Sequence, residues 1–180
     1  MSTPIIDTTR FDDDKRIFSE QRIRIPRDRL KPDVALDTTL VYRLAALYFA
    51  TVEHAVGPMF NVDVTQDGID IILRGRGVAL RFGVGDPHVG ETNAMICWSI
   101  IGGWALNRAA GGGGTFSIGA EWDTARENLD LFTRVEDYPS SIAGQAQPLR
   151  RMLYALTQKP AHTFFTHRFL AEAERELTKT

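Results

Sequence analysis

The stretch NVDVTQDGIDIILRGRGVALRFGV, residues 61–84, decides the fold class. In its last part apolar residues occupy every second position, at Val78, Leu80, Phe82 and Val84. This period of two is typical of a β-strand with one buried face. Turn-forming sequences at 66–68 and 75–77 separate this strand from two earlier ones. Because such short turns connect antiparallel neighbours, the stretch predicts an antiparallel sheet.

Further strands follow along the chain. Residues 94–101 are apolar at both alternating sets of positions, which predicts a central strand covered on both faces. Residues 116–120 and 129–135 alternate again. Upstream, residues 15–25 also alternate, and Pro26 ends them. Together these segments predict a sheet of about six or seven strands.

Two helices accompany the sheet. Residues 38–56 begin after Asp37, a good N-cap residue, and stop at Gly57. More than half of the circumference of this helix is apolar, so it packs either in the core or against a partner subunit. A long C-terminal helix begins near Pro148, and Pro160 is expected to kink or split it.

Composition limits the class of protein. The 180 residues are 43% apolar and 24% charged, which is typical of one globular domain. Residues 1–14 show no periodicity and predict a flexible N-terminal tail, followed by a single domain over 15–180. The net charge is −2, and the absence of a basic stripe argues against a nucleic-acid partner. Arg43 and Glu53 interrupt the most apolar helix, so we expect no stable membrane insertion and a cytoplasmic protein.

The element order resembles the helix-grip fold of the START and Bet v 1-like superfamily. That order is strand, helix, six strands and a long C-terminal helix. The closest details are residues 131–138 before Pro139, the sequence RRMLYALTQ at 150–158, and the stretch 113–116. One long helix stands where this superfamily usually has two short ones. The resemblance implies an α+β fold, with a curved antiparallel sheet wrapped around the C-terminal helix. It also implies a cavity between them for an apolar ligand, and some members are cyclases or dehydratases.

His162 is the candidate for chemistry in such a cavity. It shares a helical face with Phe165 and Phe169, at steps of three and four residues. A histidine there could act as an acid, a base or a hydrogen-bonding group, because its pKa lies near neutrality. The alternative is a packed histidine beside the break at Pro160.

Other side chains could line a ligand site. Tyr154 and Gln158 are four residues apart and could present polar groups to an apolar pocket. Arg81 could bind a carboxylate or a phosphate, or simply remain solvated at a rim. Large aromatic side chains could line the pocket or belong to the core; they are Trp98, Trp104, Trp122 and Phe165.

Neither a metal nor a cofactor is predicted. The four histidines lack HxH or HExxH spacing, and Cys97 is the single cysteine. The glycine run at 111–114 lacks the Lys-Ser/Thr ending of a phosphate-binding loop.

Three functions remain open from the sequence. The first is the binding of a small hydrophobic or amphipathic ligand in a cavity between the sheet and the C-terminal helix. The second is an enzyme of the cyclase or dehydratase type that uses His162. The third is a homodimer formed through the apolar helix at 38–56. Whether the chain is an enzyme is not decided by its sequence.

Overall fold

A computed structural model describes residues 3–12, 16–56, 60–106, 113–139 and 159–179. This part of the chain is α+β, with a nine-stranded antiparallel sheet. The strands are β1 Ile5–Phe11, β2 Ile17–Pro26, β3 Phe60–Thr65, β4 Gly68–Leu73, β5 Gly77–Phe82, β6 Asp86–Val89, β7 Asn93–Gly102, β8 Thr115–Trp122 and β9 Asn128–Tyr138. The two helices are α1, Thr38–Val56, and α2, Lys159–Leu177.

The sheet has the order β1-β2-β9-β8-β7-β5-β4-β3. The short strand β6 pairs with the first half of β7, and β5 pairs with the end of β7. The α+β class and the antiparallel sheet are therefore confirmed. The expected element order is also present, from β2 through α1 to the closing helix α2. The sheet is larger than the six or seven strands predicted, because β1 and β6 were not foreseen.

Strand β1 lies where we predicted part of a flexible tail over residues 1–14. Ile5–Phe11 pairs with β2 along its whole length, from Ile5 opposite Ile23 to Phe11 opposite Ile17. Most of its residues are exposed, because only one neighbouring strand covers this edge. An edge strand with both faces largely in water shows no apolar period, so its sequence resembled a tail.

Strand β6 lies in the segment predicted as a loop. Asp86–Val89 pairs with the first half of β7, where Pro87 stands opposite Ile96. Because proline has no N–H to donate, this strand suits the edge of a sheet. The four residues are too few to give a clear alternation in the sequence.

The prediction that 94–101 is covered on both faces is wrong. In β7 the buried side chains alternate with exposed or half-buried ones, as in a strand with one solvated face. The buried set is Ala94, Ile96, Trp98 and Ile100. The reason is that α1 and α2 pack side by side on the same face of the sheet, α1 against β7 and β8 and α2 against β2 and β9.

Helix α1 has the predicted bounds, and the carboxylate of Asp37 caps it by accepting a 2.7 Å hydrogen bond from the Leu40 amide. Its apolar stripe lies in the core of the same chain, with Val41, Leu44 and Tyr48 buried. Of the two alternatives for this helix, the structure shows packing on the core. The homodimer predicted through it is not shown.

Helix α2 closes the other half of the same face. The residues predicted to begin this helix, 148–158, lie outside the described ranges, and Pro160 stands in the first turn of the described segment. The C-terminal end is fixed by a 2.9 Å hydrogen bond from the Lys31 amide to the Leu177 carbonyl oxygen. Neither described helix is long and apolar enough to cross a bilayer.

Candidate functional site

An aromatic cluster fills the space between α1 and the middle of the sheet. Phe116 is at its centre, and its ring centroid lies 5.0 Å from Tyr48, 5.7 Å from Phe82 and 5.8 Å from Trp98. Tyr48 also contacts Phe169 of α2, at 5.4 Å. Trp98, predicted as a ligand-binding residue, is therefore 3% exposed and surrounded by other rings.

Tyr48 and Thr166 are described polar groups beside this cluster. Burial raises the pKa of Tyr48 far above its ordinary value, so its phenol stays neutral. The Thr166 hydroxyl offsets part of this rise in pKa, although it is buried without a hydrogen bond of good geometry. The described side chains of this cluster pack against one another.

A groove of about 560 Å³ opens where β5 meets β7. The two strands share only two register pairs, Arg81 with Gly102 and Phe82 with Ile100, and the register shifts between them. Such an irregularity bends the strands apart. The chain then leaves β7 at Gly103. Its φ is 102°, and a Cβ added there would collide with the Ala79 carbonyl oxygen, so the position requires glycine. The lining residues are Val78, Arg81, Ile101, Gly102, Gly103, Trp104 and Leu106.

The charged rim of this groove is Arg81. Its Nε donates to Asp70 Oδ1 at 2.7 Å and its Nη2 donates to Asp70 Oδ2 at 2.6 Å. The two residues are opposite each other on β4 and β5. The hydrogen bonds from Arg81 lower the pKa of Asp70, and the pair likewise raises the pKa of Arg81. Among the described residues Nη1 of Arg81 makes no hydrogen bond, and the side chain is 52% exposed, so the fixed guanidinium retains donors for a ligand.

The apolar wall of the groove is formed by Ile101 and Trp104, which are 55% and 42% exposed. The backbone after β7 is held in place by two hydrogen bonds to β5. The Trp104 amide donates to the Val78 oxygen at 3.1 Å, and the Ala105 amide donates to the Ala79 oxygen at 3.0 Å. These hydrogen bonds hold the wall beside β5, the strand that carries the guanidinium, at one opening.

The structure brings together two of the predicted site residues, Arg81 and Trp104. Trp122 lies elsewhere, under the guanidinium of Arg27 at 5.5 Å from its ring. Phe165 is partly buried against the core, and its ring contacts Phe164 edge-to-face.

Three further predicted site residues have side chains that the structure does not describe. Tyr154 and Gln158 lie outside the described ranges. The backbone of His162 is in α2, but its side chain is not described. Across the described ranges, no three side chains of His, Cys, Asp or Glu are grouped as metal ligands.

Sequence reasoning did not single out Ile101 and Leu106 as lining residues. Ile101 looked like one more apolar residue in a central strand. It faces solvent because α1 and α2 cover only the opposite face of the sheet. Which face the helices cover depends on the tertiary structure and is not visible in the sequence of the strand. The Gly102-Gly103 pair was the available signal, since it marked the break after the strand.

Comparisons with known proteins add little to this geometry. No family model matches the chain, and no curated protein matches it. Among solved structures, the chain is similar to CalU16 from Micromonospora echinospora, with 10% identity. The alignment covers 98% of this chain and 93% of that chain, with a TM-score of 0.28. At that TM-score the likeness carries no argument, and the description of the fold rests on strand order and helix packing.

Proposed function

We propose that this protein binds a small amphipathic ligand in the groove between β5 and β7. The observation that carries the proposal is that an apolar wall, Ile101 and Trp104, lines the same groove as the guanidinium of Arg81, which Asp70 fixes. The groove has a volume of about 560 Å³, which is within the range of roughly 300–1,000 Å³ for small-molecule sites.

The chemistry of the lining specifies the two ends of the ligand. An aliphatic or ring-containing body would cover Trp104 and Ile101 and remove their apolar surface from water. A carboxylate or another acceptor would take hydrogen bonds from the outward-facing donors of Arg81. Because Asp70 already balances the charge of Arg81, long-range attraction is weak. We therefore expect affinity to depend little on ionic strength.

Two predictions from the sequence stay predictions. The first is a cavity between the sheet and the C-terminal helix, and the second is cyclase or dehydratase chemistry at His162. For the enzyme, His162→Ala should abolish turnover and leave the melting temperature nearly unchanged.

Native mass spectrometry of the purified protein tests first whether a small molecule co-purifies. Calorimetric titration with octanoate and octanol then tests the two ends of the site. Arg81→Gln should weaken octanoate binding about tenfold and leave octanol binding nearly unchanged. Trp104→Ala should weaken both about tenfold.

Arg76→Gln is the matched control, since Arg76 is an exposed arginine of the same hairpin outside the groove. It should leave both affinities unchanged. If the wild-type protein binds neither compound, or if all three variants behave alike, the groove is not the site.

A further inference from the structure

We propose that strand β1 is a homodimer interface, which pairs with β1 of a second copy of this chain across a two-fold axis at Thr8. In the described sheet β1 is an edge, paired only with β2. It offers the seven residues IIDTTRF without proline or lysine. Natural edge strands usually carry such residues or are short, because a long and flat edge accepts another strand. β1 is seven residues long and lacks proline and lysine, and its two charged residues, Asp7 and Arg10, restrict the register in which a second strand can pair.

Symmetry restricts how two copies can pair. A two-fold axis perpendicular to the sheet makes the two β1 strands antiparallel and keeps each face continuous. An axis at Asp7 or at Arg10 places two like charges directly opposite each other, which destabilises the pair. An axis at Thr8 pairs all seven residues and places no like charges opposite each other. The sequence of β1 is thus self-complementary in that register.

The side chains on the solvated face fit the same register. Ile6 is 50% exposed and stands opposite the partner's Arg10. The guanidinium of Arg10 lies 4.4 Å from the ring centroid of Phe18 in its own chain. Ile6 would therefore pack on this cation–π pair from the other subunit, and the same contact occurs twice. Burial of Ile6 removes an exposed aliphatic side chain from water.

The opposite face is complementary as well. Ile5 stands opposite the partner's Phe11, and Phe11 is 53% exposed. Asp7 stands opposite the partner's Thr9. Its carboxylate already accepts hydrogen bonds from Thr9 and Gln21 of its own chain, both at 3.1 Å. Dimerisation through β1 therefore leaves no carboxylate without a partner.

The experiment uses charge at the symmetry axis. Analytical ultracentrifugation of the wild-type protein should give twice the monomer mass of 20.1 kDa. Thr8→Lys and Thr8→Glu each place two like charges across the axis and should raise the dimer Kd about tenfold or more. A mixture of the two variants should recover the dimer, because lysine then stands opposite glutamate.

Val64→Lys is the control at the other edge of the sheet, where Val64 is 68% exposed; it should leave the wild-type dimer intact. Thr8 is exposed, so circular dichroism of its variants should match the wild type. A monomeric wild type at high concentration, or Thr8 variants that stay dimeric, would overturn the proposal. Failure of the mixture to recover the dimer would also overturn it.

Discussion

Arg24 binds both carboxylate oxygens of Asp130 on the neighbouring strand. Its Nε lies 2.8 Å from Oδ1 and its Nη2 lies 2.7 Å from Oδ2. The Asp130 side chain is only 3% exposed, and Arg22 donates a further hydrogen bond to it at 2.9 Å. This cluster on the solvated face joins β2 to β9, next to the edge formed by β1.

We expect Asp130→Asn to lower the free energy of unfolding by about 2 kcal/mol. An amide cannot replace the two-point, charge-assisted contact with Arg24. Arg22 keeps its ion pairs with Glu20 and Glu121, so the loss falls mainly on Arg24. Urea denaturation measures the loss. Asp63→Asn, at an exposed position of β3, should change the same quantity by less than about 0.5 kcal/mol. Equal losses in the two variants would contradict a specific role for Asp130.

The Asp70–Arg81 pair predicts a pH dependence. Arg81 lowers the pKa of Asp70, chiefly by hydrogen bonding. In carbon-detected NMR the Asp70 carboxyl should titrate below the roughly 3.9 of a free aspartate. Arg81→Gln should move its midpoint upward. The pKa of Asp123 is lowered by Asn128 instead, so its midpoint should stay constant in the same spectra.

The sign of the stability effect follows from this lowered pKa. A carboxyl whose folded pKa is depressed contributes stability above its unfolded pKa and loses it as pH falls through the folded value. The wild type should therefore lose this contribution below about pH 4. In Arg81→Gln the corresponding fall should be smaller. An unchanged Asp70 midpoint in the variant would show that the contact does not govern its titration.

The aromatic cluster should dominate core stability. Phe116→Ala removes a ring that contacts Tyr48, Phe82 and Trp98. We expect a loss of about 3–5 kcal/mol in the free energy of unfolding, because a cavity remains in a packed core. Phe164→Ala, at a ring that is 55% exposed, should cost less than about 1 kcal/mol. Guanidinium denaturation of both variants gives the comparison.

Gly119 in β8 and Gly83, just after β5, should respond differently to alanine. A Cβ at Gly119 would lie 2.6 Å from the Ala94 oxygen and 2.6 Å from Met95 Cβ, whereas at Gly83 the nearest atom is 3.8 Å away. Gly119→Ala should therefore lower the free energy of unfolding by about 1–3 kcal/mol through overpacking. Gly83→Ala should change it by less than about 1 kcal/mol. Thermal unfolding measures both variants. Equal melting temperatures for the wild type, Gly119→Ala and Gly83→Ala would contradict overpacking at Gly119.

The sequence was most informative where one face of an element is buried. Helix α1 carries a strong apolar period and was located correctly. Strand β5 was found in the right segment, but it ends at Phe82, and Val84, predicted on its buried face, is 68% exposed. β1 was missed because an edge strand buries little on either face. The two-sided burial assigned to β7 was wrong because the number of layers around a strand is a tertiary property.

For the candidate site, sequence reasoning found Arg81 and Trp104 but had no basis for placing them together. They are 23 positions apart and meet because β5 pairs with the end of β7 and the Trp104 amide donates to Val78 of β5. Trp98 was indistinguishable from Trp104 by residue type. The packing of α1 on only one face decides which of the two is buried.

The short β5–β7 pairing has a consequence for how the sheet opens. β2 and β9 share nine register pairs and β7 and β8 share seven, whereas β5 is joined to β7 by two. The amides of Gly83, Trp104 and Ala105 add three backbone hydrogen bonds to this contact. Among the described strands it is still the shortest ladder, and it lies between the β3–β5 meander and the rest of the sheet. Local unfolding follows such weak seams. Amide protons of the meander should exchange with solvent when the β5–β7 contact opens locally. Those of β2, β8 and β9 should exchange more slowly, because they become accessible only on global unfolding.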